Sequence, residues 1–163
     1  MLAPPRNIAA ERLKSARLLA LAVPVVLLGG ALLSEYVGKL YPCEMCWWQR
    51  YPHGVAILLA GAALLSPLTA PRTRLLTLLA ALGVAVSGAI GAFHAGVEYG
   101  WWEGLTTCST GGAMSLDDIM AVPLIRCDQV QWTLLGISLA GFNAIFSLGG
   151  ALIIALLARK RAA

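Results

Sequence analysis

With 163 residues, 59% of them hydrophobic and 12% charged, the chain has too little polar surface to cover a water-soluble domain of its size. The formal net charge of +4 implies no nucleic-acid partner, because the basic residues sort by side of a membrane and form no patch. Soluble enzymes and nucleic-acid binders are thereby excluded, and an integral membrane protein remains.

Hydropathy marks four apolar runs in chain order, at about 16–34, 54–68, 75–97 and 133–157. The first is long and lacks a small-residue cleavage signature, so it reads as a retained helix and not a removed leader. Pro67 stops the second. It reaches the ~20 residues that a bilayer core requires only if its helix starts back near Cys43–Trp47, which gives a span of about 46–68. The runs GGALLS, GVAVSGAIGA and GISLAGFNAIFSLGG are rich in small residues, the composition that lets membrane helices approach closely. The expected fold is an all-α membrane protein, a four-helix transmembrane bundle built as one integral-membrane domain over residues 1–163.

Charge orients it. Arg6, Arg12, Lys14, Arg17, Arg72, Arg74, Arg159, Lys160 and Arg161 flank one side, where Glu11 is the single acid. The other side carries Lys39, Arg50 and Arg126 against Glu35, Glu44, Glu98, Glu103, Asp117, Asp118 and Asp128. The positive-inside rule places both termini and the middle loop in the cytoplasm. The outer loops then cover about 35–45 and 98–131, and the second exceeds the ~12–15 residues beyond which loops are usually functional or disordered. Within it, Ser115 and Asp118 have capping-box spacing, and Leu116, Ile119 and Met120 share a face before Pro123. That pattern fits a short amphipathic helix on the membrane surface; a packed loop turn is the other reading.

All four cysteines, Cys43, Cys46, Cys108 and Cys127, fall on the outer side. In a bacterium that side is the periplasm, where disulfides persist, and an even count implies disulfide chemistry. Cys43 and Cys46 form a CxxC in which Pro42 marks a helix start. A helix N-terminus stabilises thiolate, so a cysteine there becomes both nucleophile and leaving group. Arg50 lies four residues after Cys46, on the same face one turn deeper, where a permanent cation favours a Cys46 thiolate or an oxyanion on an electron acceptor. His94 near the outer end of the third span, with Glu98 one turn on, can meet Arg50 beneath the headgroups. Such a pocket accepts an apolar-tailed molecule with polar ring oxygens, which describes a quinone. His53 reads as interfacial, Pro52 as a kink at that level, and Trp47, Trp48, Trp101 and Trp102 as belt anchors.

Competing chemistries have weaker signals. Zinc needs closely spaced paired ligands, and Cys108 and Cys127 are too far apart for a second CxxC, so no metal is expected. Covalent haem needs CxxCH, but Trp47 follows Cys46. A four-span structural protein with inert loop disulfides and a b-haem carrier using His53 and His94 remain as alternatives.

The segment YPCEMCWWQR, a histidine late in the third span, cysteines in the long outer loop and CDQVQWTLLGISLAGFNAI entering the fourth span together carry a resemblance over most of the chain. The chain resembles the DsbB family of bacterial disulfide bond formation proteins. The resemblance implies an inner-membrane thiol:quinone oxidoreductase that re-oxidises a periplasmic dithiol protein of the DsbA kind and gives the electrons to ubiquinone or menaquinone. By motif position Cys43 and Cys46 are the pair beside the quinone, with Cys46 the thiolate that contacts the ring. Cys108 forms the mixed disulfide with the partner and Cys127 is its exchange mate. Arg50 and His94 are the polar residues at the quinone. A partner with a potential near about −120 mV is a strong oxidant, which a much more oxidising acceptor such as a quinone can recharge.

Overall fold

The computed structural model describes residues 8–105 and 125–159. Four helices carry it: α1 Ile8–Tyr36, α2 Glu44–Leu65, α3 Pro71–Glu98 and α4 Leu139–Ala158. Their limits follow local chemistry. Cys43, in extended conformation after Pro42, is the N-cap of α2. At the other end of α2, Ser66 donates its hydroxyl to Ala62 O at 2.9 Å and Pro67 ends the helix. Pro71 opens α3, where a missing N–H costs nothing. Ser138 caps α4 by accepting from Gly141 N at 3.1 Å.

The core is sorted by size. Buried positions are largely alanine, among them Ala16, Ala20, Ala56, Ala60, Ala63, Ala80 and Ala144, while Val26, Leu33, Leu58, Leu65, Leu82 and Leu152 stand outward. A water-soluble helix does the reverse. In a bilayer, large apolar side chains outside cost nothing and small ones inside allow close backbone approach. Helices α1, α3 and α4 are long and apolar enough to cross a membrane. The start of α2 carries Gln49, Arg50 and His53, all buried. These polar residues belong to the site, not to a lipid-facing surface.

Helix α3 packs between α2 and α4, and α1 closes the ring against both. The α3–α4 approach depends on two glycines. A Cβ at Gly88 would come within 2.9 Å of Ser147 Cβ, and one at Gly91 within 3.0 Å of Ala140 O. At the end where α1 begins, Arg12 donates to Leu156 O at 2.7 Å and buried Arg17 donates to Leu64 O. Two arginines that sequence assigns to topology thus also satisfy the last carbonyls of α4 and α2.

The fourth helix starts later than the sequence indicated. Residues 133–138, expected as its first turns, form a hairpin in which β1 Thr133–Leu134 pairs antiparallel with β2 Ile137–Ser138. Leu135 and Gly136 have φ of 53° and 79°, the left-handed pair of a two-residue turn. Hydropathy is blind to this break because the turn is itself apolar. The surface helix expected near 115–123 lies outside the described residues, as does Cys108.

Candidate functional site

The chemistry collects where α2 begins. Cys43 Sγ and Cys46 Sγ lie 3.3 Å apart across the first turn. Cys43 is almost fully buried, in a cluster with Met45 and Val97. Trp48, Phe93, Ile125 and Cys127 pack against that cluster. The segment after residue 125 is tied to the connection between α1 and α2 by Gln131 Nε2, which donates to Tyr41 O at 2.7 Å. Tyr99, at the end of α3, holds the hairpin: its hydroxyl accepts from Ser138 N at 2.9 Å and donates to Gly136 O at 3.0 Å. Nearby, the Arg126 guanidinium hydrogen-bonded to Asp128 holds that exposed carboxyl below the usual range.

Behind the sulfurs runs a hydrogen-bonded chain across three helices, and its polarity can be assigned. Asn143 Nδ2 faces Ser87 O at 3.2 Å, a carbonyl that can only accept, so this end of the amide is the donor. It therefore donates to Gln49 Oε1 at 2.8 Å. Gln49 Nε2 in turn donates to Met45 O at 3.1 Å and to His94 Nδ1 at 2.9 Å. With Nδ1 accepting, the ring proton of His94 sits on Nε2, which lies 3.5 Å from Cys43 Sγ. The network thus presents an N–H to a sulfur, the arrangement that stabilises a thiolate leaving from a disulfide. Glu98 Oε1 is 3.8 Å from the same nitrogen, beyond hydrogen-bond distance.

On its other side Asn143 Oδ1 accepts from Ser147 Oγ at 2.8 Å and from His53 Nε2 at 3.0 Å. His53, read from sequence as interfacial, is 3% exposed and belongs to this buried network. The helix turns it inward because residues 46, 49/50 and 53 share one face.

Arg50 is also engaged. Its guanidinium pairs with Glu35 of α1, donates to Ala31 O at 3.2 Å and lies 4.9 Å from the centroid of the Trp47 ring. A part-buried ion pair holds the Arg50 charge against a partner, as a charge at this depth requires. Trp47 therefore carries a cation as well as facing outward. Trp102 folds back, stacks on Phe93 and donates to Phe93 O at 2.9 Å.

A cavity of about 260 Å³ joins these groups. Val26, Leu27 and Ala31 of α1 and Leu139 and Phe142 of α4 give it apolar walls, and Cys46, Arg50, His53, His94, Glu98 and Asn143 line its polar side. Of the residues singled out from sequence, Cys43, Cys46, Arg50, His94 and Glu98 share this cavity, and Cys127 packs on the cluster beside it. Gln49, Asn143, Ser87, Ser147 and Glu35 were not singled out. A lone amide such as Asn143 inside an apolar span is costly in lipid, and that was the available signal.

Cys43, Cys46 and His94 also put three soft donor atoms within 4.8 Å of one another. Their surroundings oppose a metal ligand set. A metal-bound imidazole ordinarily donates its second nitrogen to an acceptor, whereas here Gln49 donates to Nδ1 and leaves the proton on the nitrogen a metal would need.

Comparison with known proteins agrees with the motifs. The family model "Disulfide bond formation protein DsbB" matches residues 13–157. Disulfide bond formation protein B of Verminephrobacter eiseniae (strain EF01-2) is 34% identical over 157 residues, covering 87% of this chain and 84% of that protein. The proteins of the same name from Hahella chejuensis (strain KCTC 2396) and Shewanella sp. (strain MR-4) are 28% and 31% identical, over 76% and 74% of this chain and 79% and 73% of theirs. No solved structure gives a significant match. The chain belongs to the DsbB family of disulfide bond formation proteins.

Proposed function

We propose that this protein is a thiol:quinone oxidoreductase of the bacterial inner membrane, with both termini in the cytoplasm and its cysteines in the periplasm. It re-oxidises a soluble DsbA-like dithiol protein and passes the electrons to membrane quinone. One observation carries this reading. An adjacent sulfur pair at a helix N-terminus, with His94 donating toward one sulfur, forms part of the wall of an apolar cavity.

The residues present fit a quinone. The cavity offers apolar walls for a tail and charged and amide groups for ring oxygens, and two buried polar atoms of its lining residues, Glu98 Oε2 and His53 Nδ1, have no hydrogen-bond partner among the described residues. Arg50, His94 and Glu98 would hold the ring. A bound quinone supplies an acceptor for two electrons and two protons.

The chain's own residues handle the sulfur chemistry. The partner's thiolate attacks the Cys108–Cys127 disulfide at Cys108, forming a mixed disulfide and releasing Cys127 as thiolate. The partner's second thiol resolves that bond, leaves as a disulfide and returns Cys108 as thiol. Cys127 packs on the cluster that buries Cys43, so its thiolate attacks Cys43 Sγ and displaces Cys46. Cys46 leaves as thiolate at the helix N-terminus, in the cavity it shares with Arg50. Cys108 then attacks Cys127, restoring that disulfide, and Cys43 departs as a thiolate stabilised by the N–H of His94. Two electrons now reside on the Cys43–Cys46 pair.

The test uses full-length protein in detergent with a reduced DsbA-like partner and a soluble short-chain quinone. Loss of quinone absorbance is expected with wild type and not with Cys46→Ser. A partner lacking its resolving cysteine should be trapped as a mixed disulfide that mass spectrometry maps to Cys108. Full quinone reduction by Cys46→Ser would overturn the assignment.

A further inference from the structure

His53 has a nitrogen that the network does not use. Its Nε2 donates to Asn143 Oδ1, and the direction of that bond is fixed by the contact of Asn143 Nδ2 with the Ser87 carbonyl. The remaining nitrogen, Nδ1, is therefore a bare acceptor. It is buried, without a hydrogen-bond partner among the described residues, in a side chain that lines the cavity with Cys46, Arg50 and Asn143. A buried acceptor left unsatisfied is unfavourable, and a donor brought by a ligand relieves it.

The two redox forms of a quinone differ in what they can offer such an atom. The carbonyl oxygens of the oxidised ring accept only, and face Nδ1 lone pair to lone pair. The hydroxyls of the hydroquinone donate. We propose that His53 distinguishes the redox state of the ligand, its Nδ1 accepting a hydrogen bond from a hydroxyl of the hydroquinone and so holding the reduced form more tightly than the oxidised one. This role rests on the quinone reading of the cavity. Its consequence is directional. A hydroquinone bound about tenfold more tightly than the quinone raises the potential of the bound couple by about 30 mV, which draws electrons from the Cys43–Cys46 pair.

Two substitutions separate the ligand role from the network role. In His53→Gln the side-chain amide can still donate from the place of Nε2 to Asn143, but no acceptor stands at the place of Nδ1. In His53→Asn an oxygen can occupy the place of Nδ1, and the bond to Asn143 is lost. Full-length disulfide-form protein in detergent is titrated with one-isoprene ubiquinone and, under argon, with its borohydride-reduced quinol, and tryptophan fluorescence quenching reports each dissociation constant. Wild type is expected to prefer the quinol. His53→Gln loses about tenfold of that preference, through weaker quinol binding with quinone binding unchanged, and His53→Asn retains most of it. The ratio of the two constants does not depend on what fraction of a variant folds. Equal ratios in wild type and His53→Gln overturn the role of His53 and leave the quinone reading standing. Failure of wild type to bind either form overturns both.

Discussion

The two ends of the bundle use the same helices and satisfy their polar groups in opposite ways. At the end where α1 begins, the core is Leu13, Ala16, Ala20, Ala56, Ala60, Ala80, Val84, Ala151 and Ile154. Most polar side chains there are satisfied close by in sequence: Thr77 donates to Thr73 O at 2.7 Å, and Thr73 to Pro67 O at 2.6 Å. At the other end, Gln49, Ser87, His94 and Asn143 are satisfied across α2, α3 and α4. Local satisfaction fixes no relation between helices. Satisfaction across helices fixes their rotation and depth together, which is what a site for sulfur exchange requires. Arg12 and Arg17 also reach carbonyls of other helices at the first end. Among the described residues, only the second end has side chains bonded to one another across helices, and in a membrane interior such a costly network marks where chemistry is done.

The sharpest break between the two ends is expected in turnover. Cys46→Ser removes the leaving thiolate and should lower partner-dependent quinone reduction by ~10³-fold or more, as loss of a nucleophile does elsewhere. Thr77→Val, at the opposite end, should stay within about twofold in the same assay. If Thr77→Val were as damaging, the division of labour between the ends would be wrong.

Stability should divide along the same line. Asn143→Leu leaves Gln49, Ser87, His53 and Ser147 each short of a partner. Three of these partners, Gln49, Ser87 and His53, stand on other helices, and at roughly 0.5 kcal/mol for each interhelical bond in a membrane protein the loss is about 1.5 kcal/mol. Thr77→Val removes a bond to the helix's own backbone and should cost about 0.5 kcal/mol or less. Reversible unfolding in dodecyl sulfate measures both, and equal losses would mean that the network adds no more than local bonding.

How much of this was legible beforehand follows from the same contrast. The CxxC after Pro42 with Arg50 one turn on, and His94 with Glu98, are local spacings; that Arg50 can meet His94 and Glu98 is an expectation from sequence, and in the structure all of these residues line one cavity. The amide chain was not legible, because Gln49 meets Asn143 only through helix rotations set by backbone contact at Gly88 and Gly91. Glu35 was read as part of the outer charge count, and its pairing with Arg50 likewise depends on where α1 meets α2. The start of α4 was missed for a different reason. Ser138 as a cap and Leu135–Gly136 as a turn are small signals inside a stretch whose hydropathy never falls.

The polarity of the network can be reversed at one position. Gln49→Glu places a carboxylate against His94 Nδ1, which then carries the ring proton and turns the Nε2 lone pair toward Cys43. Two consequences follow for protein with the cysteine pair reduced. The thiolate of Cys43 loses its N–H, and Cys43, Cys46 and His94 become a usable set of soft ligands. Zinc affinity, measured by competition with a chelator, should rise about tenfold, at the low end of what second-sphere changes do. Unchanged zinc affinity would show that the tautomer of His94 is not set by Gln49.

The smallest effect belongs to the opposite end. Arg12 donates to Leu156 O at 2.7 Å in the last turn of α4, where a cation also meets the negative end of the helix. The bond is a single one and exposed, so Arg12→Gln should cost about 0.5 kcal/mol in the same unfolding titration. It should leave turnover and quinone affinity unchanged, because Arg12 bonds to the last turn of α4, whereas the bonds that set the sulfur pair run through Asn143 near the start of that helix. A fall in turnover larger than the fall in folded protein would show that α4 transmits position from one end to the other. The two ends would then not be independent, and the bundle would act as one rigid unit on its sulfur pair.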